Sequence, residues 1–537
     1  MKKQIIIILL ILSSNISFSQ NWQWAKQIGG NLTDWNGGAL IDANNNIYSS
    51  GNYEISCFFD NDTLNSNGYN DMFLAKYDAS GSELWTRGFG GNNSNSYHEA
   101  GLVAAIDNNN SCLYYIGHFE GILTIDSYSI NSATGATMFI AKFDLSGNCQ
   151  WLVGIGSGGS DFPAALTLDG SGNIYFTGNF GNNGTIGIYT VNKGCFLTKL
   201  DSGGNILWAR NEITGGYITA IKIVNNNMIL CGIADNDTSV IDTATLITTN
   251  MAGVFLAKTD LNGNYINGKR FASNVISYPN NLELDVTGNI YLIGQATDTI
   301  NFDGIILSNN GLPDLFFGKF DNSFNTVWVQ QSHSNGAYGG YGANIIPDND
   351  GNYYITGSFS GNATLDTFNL NSSATQDMFL ARYDPNGKCI GIRHFGEARS
   401  ESLNMDSNGD IIVAGEFINT ANIGSTILTS HGSTDIFIAK SDAITGIGGE
   451  GRVATNQLII YANPNKGTCN ITVPDEFQHE KNLTLNIFDN SGKLIQQIPV
   501  QMNEGKIKLN LEAEAKGVYN VTLSNGKKSY NGKIVFE

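Results

Sequence analysis

Charge is scarce in this chain: only 14% of its 537 residues are Asp, Glu, Lys or Arg, and only six are His. So small a stock of titratable side chains leaves little for general acid–base chemistry, and no GxSxG, HExxH, Walker loop or paired CxxC motif is present. The seven cysteines (Cys57, Cys112, Cys149, Cys195, Cys231, Cys389, Cys469) are odd in number and follow no tight spacing. Cys149 and Cys389 occupy the same place in two copies of a repeat, which keeps them apart in space. Small apolar fillers are therefore expected, with no disulfide framework. After the first residues no apolar run approaches the roughly 18 that a membrane helix needs. Basic residues are short too: between residues 20 and 458, 40 acidic residues face 18 basic ones, whereas the tail after 458 carries eight and nine. An acidic body repels phosphate backbones, so nucleic acid is a poor partner, and such acidity commonly serves solubility.

Turn-forming residues are abundant. Gly reaches 63, aromatics make up 11%, and Asn-Gly pairs recur, which fits an all-β chain of short strands and tight turns. The opening "MKKQIIIILLILSSNISFSQ" has Lys2 and Lys3, an apolar stretch from Ile5 to Leu12, and Ser17 and Ser19 before Gln20. That order predicts a signal peptide over 1–19 and an exported mature chain. No Cys follows the cut, so no lipoprotein anchor is expected.

One phrase returns seven times: "FLAKYD" at 73, "FIAKFD" at 139, "FLTKLD" at 196, "FLAKTD" at 255, "FFGKFD" at 316, "FLARYD" at 379 and "FIAKSD" at 437. A second phrase, such as "GNIYFTG" ending at Gly178, precedes each copy. In the first repeat four strands are predicted, around 39–42, 47–53, 73–78 and 84–89. The first-to-second and third-to-fourth turns ("DGSGN" at 169, "DLSGN" at 144) open with Asp, which caps turn amides, and carry a late Gly that accepts positive φ. Seven four-stranded units predict a β-propeller over 20–442. The last copy has no fourth strand, whereas "NWQWAKQIGG" at 21–30 matches "ELWTRGFGG" at 83–91. The Trp24 strand is thus expected to complete blade seven and remove the open edge.

The "GNIYxxG" and "FxAKxD" phrases resemble the bacterial SBBP-type β-propeller repeat, a likeness that implies the fold and little about activity. Blades four and six lack the fourth-strand Trp, having "GNYING" at 263–268 and Gly391, so a looser outer edge is expected there. Lys76, Lys142, Lys199, Lys258, Lys319, Arg382 and Lys440 recur in every copy. Seven copies point to scaffold, such as pairing with a turn carboxylate, and sites are sought where the copies deviate.

After a Gly-rich linker at 443–458, the alternation of apolar and polar residues predicts a small Ig-like β-sandwich. Its Asn463-Pro464, Gly467, Asp489, Gly492-Lys493 and Gly517-Val518-Tyr519 resemble the C-terminal sorting domain of the type IX secretion system, over 459–537. Ala462 departs from the Pro usual there. The resemblance implies a Bacteroidetes-type bacterium, passage across the outer membrane by the type IX machinery, and removal of the domain on export.

The fourth-to-first and second-to-third connections are long and variable, which makes their face the candidate binding surface. In blade two, pairing about "DNNNS" sets Glu99 near Glu120 and His118 near Gly101, a candidate metal or acid/base cluster. A one-residue slip would flip the side. Asp34 and Asp161 sit at the same count as Glu99 and are candidate channel-mouth acids, for calcium or simply solvated; no cofactor is assigned. "DNDGN" at 348–352 is read as a turn and not as a calcium loop. Trp35, Tyr97, Phe162, Tyr278 and Tyr341 lie on this face, where they stack on sugars or, as preferred, pack core and rim. The expected function is an exported binding or scaffold protein with a glycan or protein ligand; the alternative is a metal-assisted glycan lyase or hydrolase.

Overall fold

The computed structural model describes residues 22–536 except 92–98, 133–134, 235–237, 242–243, 248–252, 274, 309–312, 337–339, 373–374, 445–457, 462–465, 474–476, 478–482, 490–492, 501–505, 512–514 and 526–528. The signal segment, most of the linker, Tyr97, Asn463, Pro464 and Gly492 thus lie outside the described residues. The chain divides into two compact units, 1–451 and 452–537.

The first unit is a β-propeller. In the first repeat, strands Asp34–Ile41, Ile47–Phe58, Thr63–Tyr77 and Glu83–Phe89 pair antiparallel in chain order. Five further repeats have the same order, the third extending it by a hairpin. The seventh sheet takes Ala398–Met405, Ile411–Phe417 and Asp435–Ser441 from its own repeat, and its fourth strand is Trp22–Ile28. There Trp24 faces Lys440, the register in which Trp85 faces Lys76 and Trp151 faces Lys142. The first strand of each repeat packs beside that of the next, and that of the seventh beside that of the first. The apolar cores lie between neighbouring sheets: Ile412, Ala414, Ile436 and Ile438 of repeat seven pack with Ile47, Phe73 and Tyr77 of repeat one. This is why the stretch just ahead of the recurring cation in each third strand, such as Met72–Ala75, is apolar without alternation, being buried on both faces.

The turns behave as the sequence predicts. Asp144 accepts the N–H groups of Ser146 and Asn148 at 2.9 Å while Gly147 holds φ +85°. The recurring cation secures the neighbouring turn or its own. Lys440 reaches Asp406 at 2.7 Å and Arg382 bonds Asp348 and Asp350, so the carboxylates of "DNDGN" are taken up by a guanidinium and the turn. Lys76 and Lys142 instead donate to the Leu145 and Ser202 carbonyls of the next repeat, 3.1 Å away. All seven cysteines are free, and all but half-buried Cys149 are buried.

Each fourth-strand Trp rests on the turn glycine of the following repeat: Trp24 on Gly81, Trp85 on Gly147, Trp151 on Gly204, Trp208 on Gly263 and Trp328 on Gly387. The expectation that blades four and six are looser is corrected at this joint. Where repeat four lacks its Trp, the next turn carries Phe324 in place of glycine, at φ +66° and only 1% exposed. Over Gly391 of repeat six sits buried Ile444, against which a Cβ on the glycine would collide at 2.4 Å. Phe324→Ala therefore opens a core cavity, and chemical denaturation is expected to show a loss of about 3 kcal/mol.

The second-to-third connections are more regular than their sequences suggest. Most fold into short hairpins, such as Ile122–Ile125 with Tyr128–Asn131 and Asn362–Leu365 with Phe368–Asn371. Tyr128 and Tyr189 donate to the Gln150 and Leu207 carbonyls of their own fourth strands, so these hairpins cover the outer edge of the blade.

The second unit has a three-stranded sheet (Ile459–Tyr461, Thr468–Thr472, Lys506–Asn510) and a four-stranded one ordered Leu494–Val500, Leu483–Phe488, Gly517–Ser524, Ser529–Phe536. Ile471, Leu485, Leu523 and Ile534 are fully buried in its core. Gly467 sits at φ +109° and its carbonyl accepts Leu511 N–H; Asp489 caps Lys493 N–H at 3.0 Å, and Tyr519 donates to the Ala515 carbonyl. These motif residues hold turns and strand starts.

Candidate functional site

Every first strand carries a β-bulge near its start, at Gly37, Ala104, Ala164, Thr219, Asn280, Ala343 and Glu401. Bulges re-aim the side chains beside them. Just before the residue that pairs with the second-strand glycine stands one position equivalent in all seven repeats. It holds Trp35, Phe162, Tyr217, Tyr278 and Tyr341 in five repeats, Ala100 in the second and Arg399 in the seventh. Their partners across the strand are Asn52, Asn179, Ile233, Gln295, Ser358, His118 and Glu416 respectively. Of these aromatics Phe162 and Tyr278 are 43% and 39% exposed and Trp35 is half-buried, a place at the rim and not in the core.

Where the ring residue shrinks to Ala100, a cavity of about 420 Å³ opens between Trp35 and Phe162. The His118 ring meets Phe162 edge-on with centroids 5.0 Å apart. Asn36 and Asn70 also line this cavity, and Asn36 Nδ2 and Asn70 Oδ1 are buried with no hydrogen-bond partner. Trp35 forms a wall of a second cavity of about 280 Å³, whose other walls include Arg399, Glu416, Gln376 and Thr434. Arg399 donates its Nε (3.0 Å) and Nη2 (2.5 Å) to buried Glu416, whose other oxygen accepts Asn36 N–H at 2.9 Å. Glu401 lies 3.4 Å from the same guanidinium with 41% of its side chain exposed. Arg399, Glu401 and Glu416 escaped the sequence reading, although alignment of the seven copies sets Arg399 where five carry aromatics.

The acids proposed from sequence behave differently from expectation. The predicted blade-two register holds near the turn, where Asp107 pairs with Cys112 and Ala105 with Tyr114. The bulge at Ala104 then slips it by one, so His118 faces Ala100 and not Gly101. Glu99 is 2% exposed, and both its oxygens accept Gly91 N–H at 3.0 and 2.9 Å. Burial, then the charges of Asp71 and Glu120, push its carboxyl up to about 8. Glu120 is only partly buried. Among the described residues no three His, Cys, Asp or Glu side chains are placed to hold a metal ion, so His118, Glu99 and Glu120 do not form the expected metal cluster.

Asp34 and Asp161 are fully buried, which corrects their reading as mouth acids open to solvent. Both cap the connection before them: Asp34 accepts Gly30 N–H at 2.6 Å, and Asp161 accepts Ser157 N–H at 2.7 Å and Gly181 N–H at 2.9 Å. Burial first, with Asp435 and Glu54 adding to it, pushes Asp34 up to about 8.

Residues 459–537 match the family described as secretion system C-terminal sorting domain. That domain marks the chain for secretion to the cell surface or the extracellular space. An uncharacterized WD repeat-containing protein of Acanthamoeba polyphaga mimivirus is 23% identical over 365 residues, covering 52% of this chain and 26% of its own length. The chain thus spans about a quarter of that curated relative. Among solved structures, the Dos1 propeller is 9% identical with a TM-score of 0.37, covering 80% of this chain and 97% of that one. The plexin A4 extracellular region is 7% identical with a TM-score of 0.39, covering 94% and 67%. No helix among the described residues is long and apolar enough to cross a membrane.

Proposed function

We propose that this chain is an exported, seven-bladed β-propeller of the SBBP repeat type, closed by its N-terminal strand, that acts as a binding or scaffold protein. The reading includes a signal peptide at 1–19, the propeller at 20–442, a linker at 443–458 and an Ig-like sorting domain at 459–537, in a Bacteroidetes-type bacterium. The common register of Trp24 and the other fourth-strand Trp residues supports closure. The observation that carries a binding role is where the repeats disagree. Strand cations are kept throughout and turn acids everywhere but at Val224 of repeat four, whereas the ring ahead of the bulges changes from aromatic to Ala100 and Arg399, and cavities open there. Recognition on a rigid repeat scaffold is expected where the repeats diverge.

Partners on this reading are the type IX machinery, through the tail, and a glycan or protein ligand at the ring; no cofactor is assigned. Deleting 459–537 in the producing cell is expected to hold the chain within the cell envelope and abolish its digestion by protease added to intact cells. Undiminished surface digestion of the deletion would overturn the export route.

A further inference from the structure

We infer that the cavity between Trp35 and Phe162 binds one sugar ring of a neutral glycan, whose chain continues past Trp35 toward Arg399. The inference rests on the binding reading above and gives it a ligand class. Three observations lead to it. First, the void exists because Ala100 stands where repeats on either side carry an aromatic side chain, so two ring systems face a gap. At about 420 Å³ it lies within the roughly 300–1,000 Å³ typical of small-ligand clefts. Aromatic faces pack against the C–H surface of a pyranose without demanding charge.

Second, the unsatisfied polar groups lining the gap are neutral and of both kinds. Asn36 Nδ2 is a donor and Asn70 Oδ1 an acceptor, both buried and unpartnered, and Asn70 is only 4% exposed. Buried polar groups call for partners. A hydroxyl both donates and accepts, so ligand hydroxyls suit a lining of neutral amides, whereas a carboxylate only accepts. The body's 40 acidic residues against 18 basic further disfavour an acidic glycan. Third, Trp35 is shared by both cavities, which suits a ligand longer than one ring. In the second cavity Arg399, clamped by Glu416, presents a preorganised donor edge to hydroxyls.

The test is calorimetric titration of the full chain with cellohexaose, xylohexaose, mannohexaose and maltohexaose, beside an oligogalacturonate of equal length and a mixed peptide pool. At least one neutral hexasaccharide is expected to bind, and the oligogalacturonate at least tenfold more weakly. Trp35→Ala and Phe162→Ala are each expected to weaken binding at least tenfold. Ala100→Trp, which restores the side-chain class found at this position in repeat one, is expected to abolish binding with an unchanged or higher melting temperature. Neutral-glycan binding that survives Ala100→Trp overturns the inference, as does stronger binding of the oligogalacturonate. No binding to any neutral hexasaccharide at millimolar concentration also overturns it. Heat on adding the peptide pool alone would do so too, yet leave the broader binding role standing.

Discussion

A chain without the strand Trp22–Ile28 is expected to unfold at a far lower temperature than the intact protein, or not to fold at all. That strand completes the seventh sheet against Asp435–Ser441 and supplies fully buried Ile28 to the core between repeats seven and one. Truncating one buried aliphatic side chain costs about 2–5 kcal/mol. Each lost ladder hydrogen bond adds about 1 kcal/mol. The strand pairs at six positions, so its removal approaches the roughly 5–15 kcal/mol that holds an ordinary domain together. It would also bare the edge of a fully buried apolar strand, inviting edge-to-edge association. Urea titration followed by tryptophan fluorescence compares the two chains; coincident midpoints would show that the ring does not depend on its N-terminal strand.

The second large effect is a loss of stability as pH rises through neutrality. Asp34 and Glu99 each have carboxyls raised to about 8 by burial and by neighbouring acids. Asp435, Glu54 and Cys57 surround the first, with His431 bonded to Asp435; Asp71 and Glu120 flank the second. In the folded chain these groups keep protons that the unfolded chain releases near pH 4. Their contribution is therefore fully present below about pH 4 and is lost progressively as pH rises to about 8. A unit of pKa shift corresponds to about 1.4 kcal/mol. Even a fraction of both shifts predicts a melting temperature roughly 5 °C or more higher at pH 5.5 than at pH 8.5. Turn acids such as Asp78, held below the usual range by Ser80 and by turn amides, act oppositely and weaken the fold only as pH falls below about 4. The double variant Asp34→Asn, Glu99→Gln is expected to flatten the melting profile between pH 5.5 and 8.5. An equally steep profile in that variant would assign the dependence elsewhere.

What the sequence made legible was whatever it repeats. Seven copies of one strand phrase, Asp-led turns and the Trp24 match sufficed for the β-propeller and for the pairing of the first strand with the last. Side chains whose role depends on a neighbouring repeat were harder to read. Phe324 looks like an odd turn residue until it is seen filling the place left by a missing Trp one repeat earlier. The hairpins outside the blades use strands of three or four residues, too short to impose a periodicity on their own. Asp34 and Asp161 read as exposed loop acids because nothing local signals that they fold back to cap amides at Gly30 and Ser157. The binding ring was hidden by the bulges. One extra residue at Ala104 moves His118 from Gly101 to Ala100, so the cross-strand partners of the ring are not those that simple hairpin counting gives.

The most direct test of the whole account uses intact producing cells and a fluorescent derivative of whichever neutral hexasaccharide binds the purified chain. Cells making the wild-type chain are expected to be labelled, while cells making Ala100→Trp or the chain without 459–537 are not. Equal labelling of all three would contradict both the exported location and the ring as the binding surface.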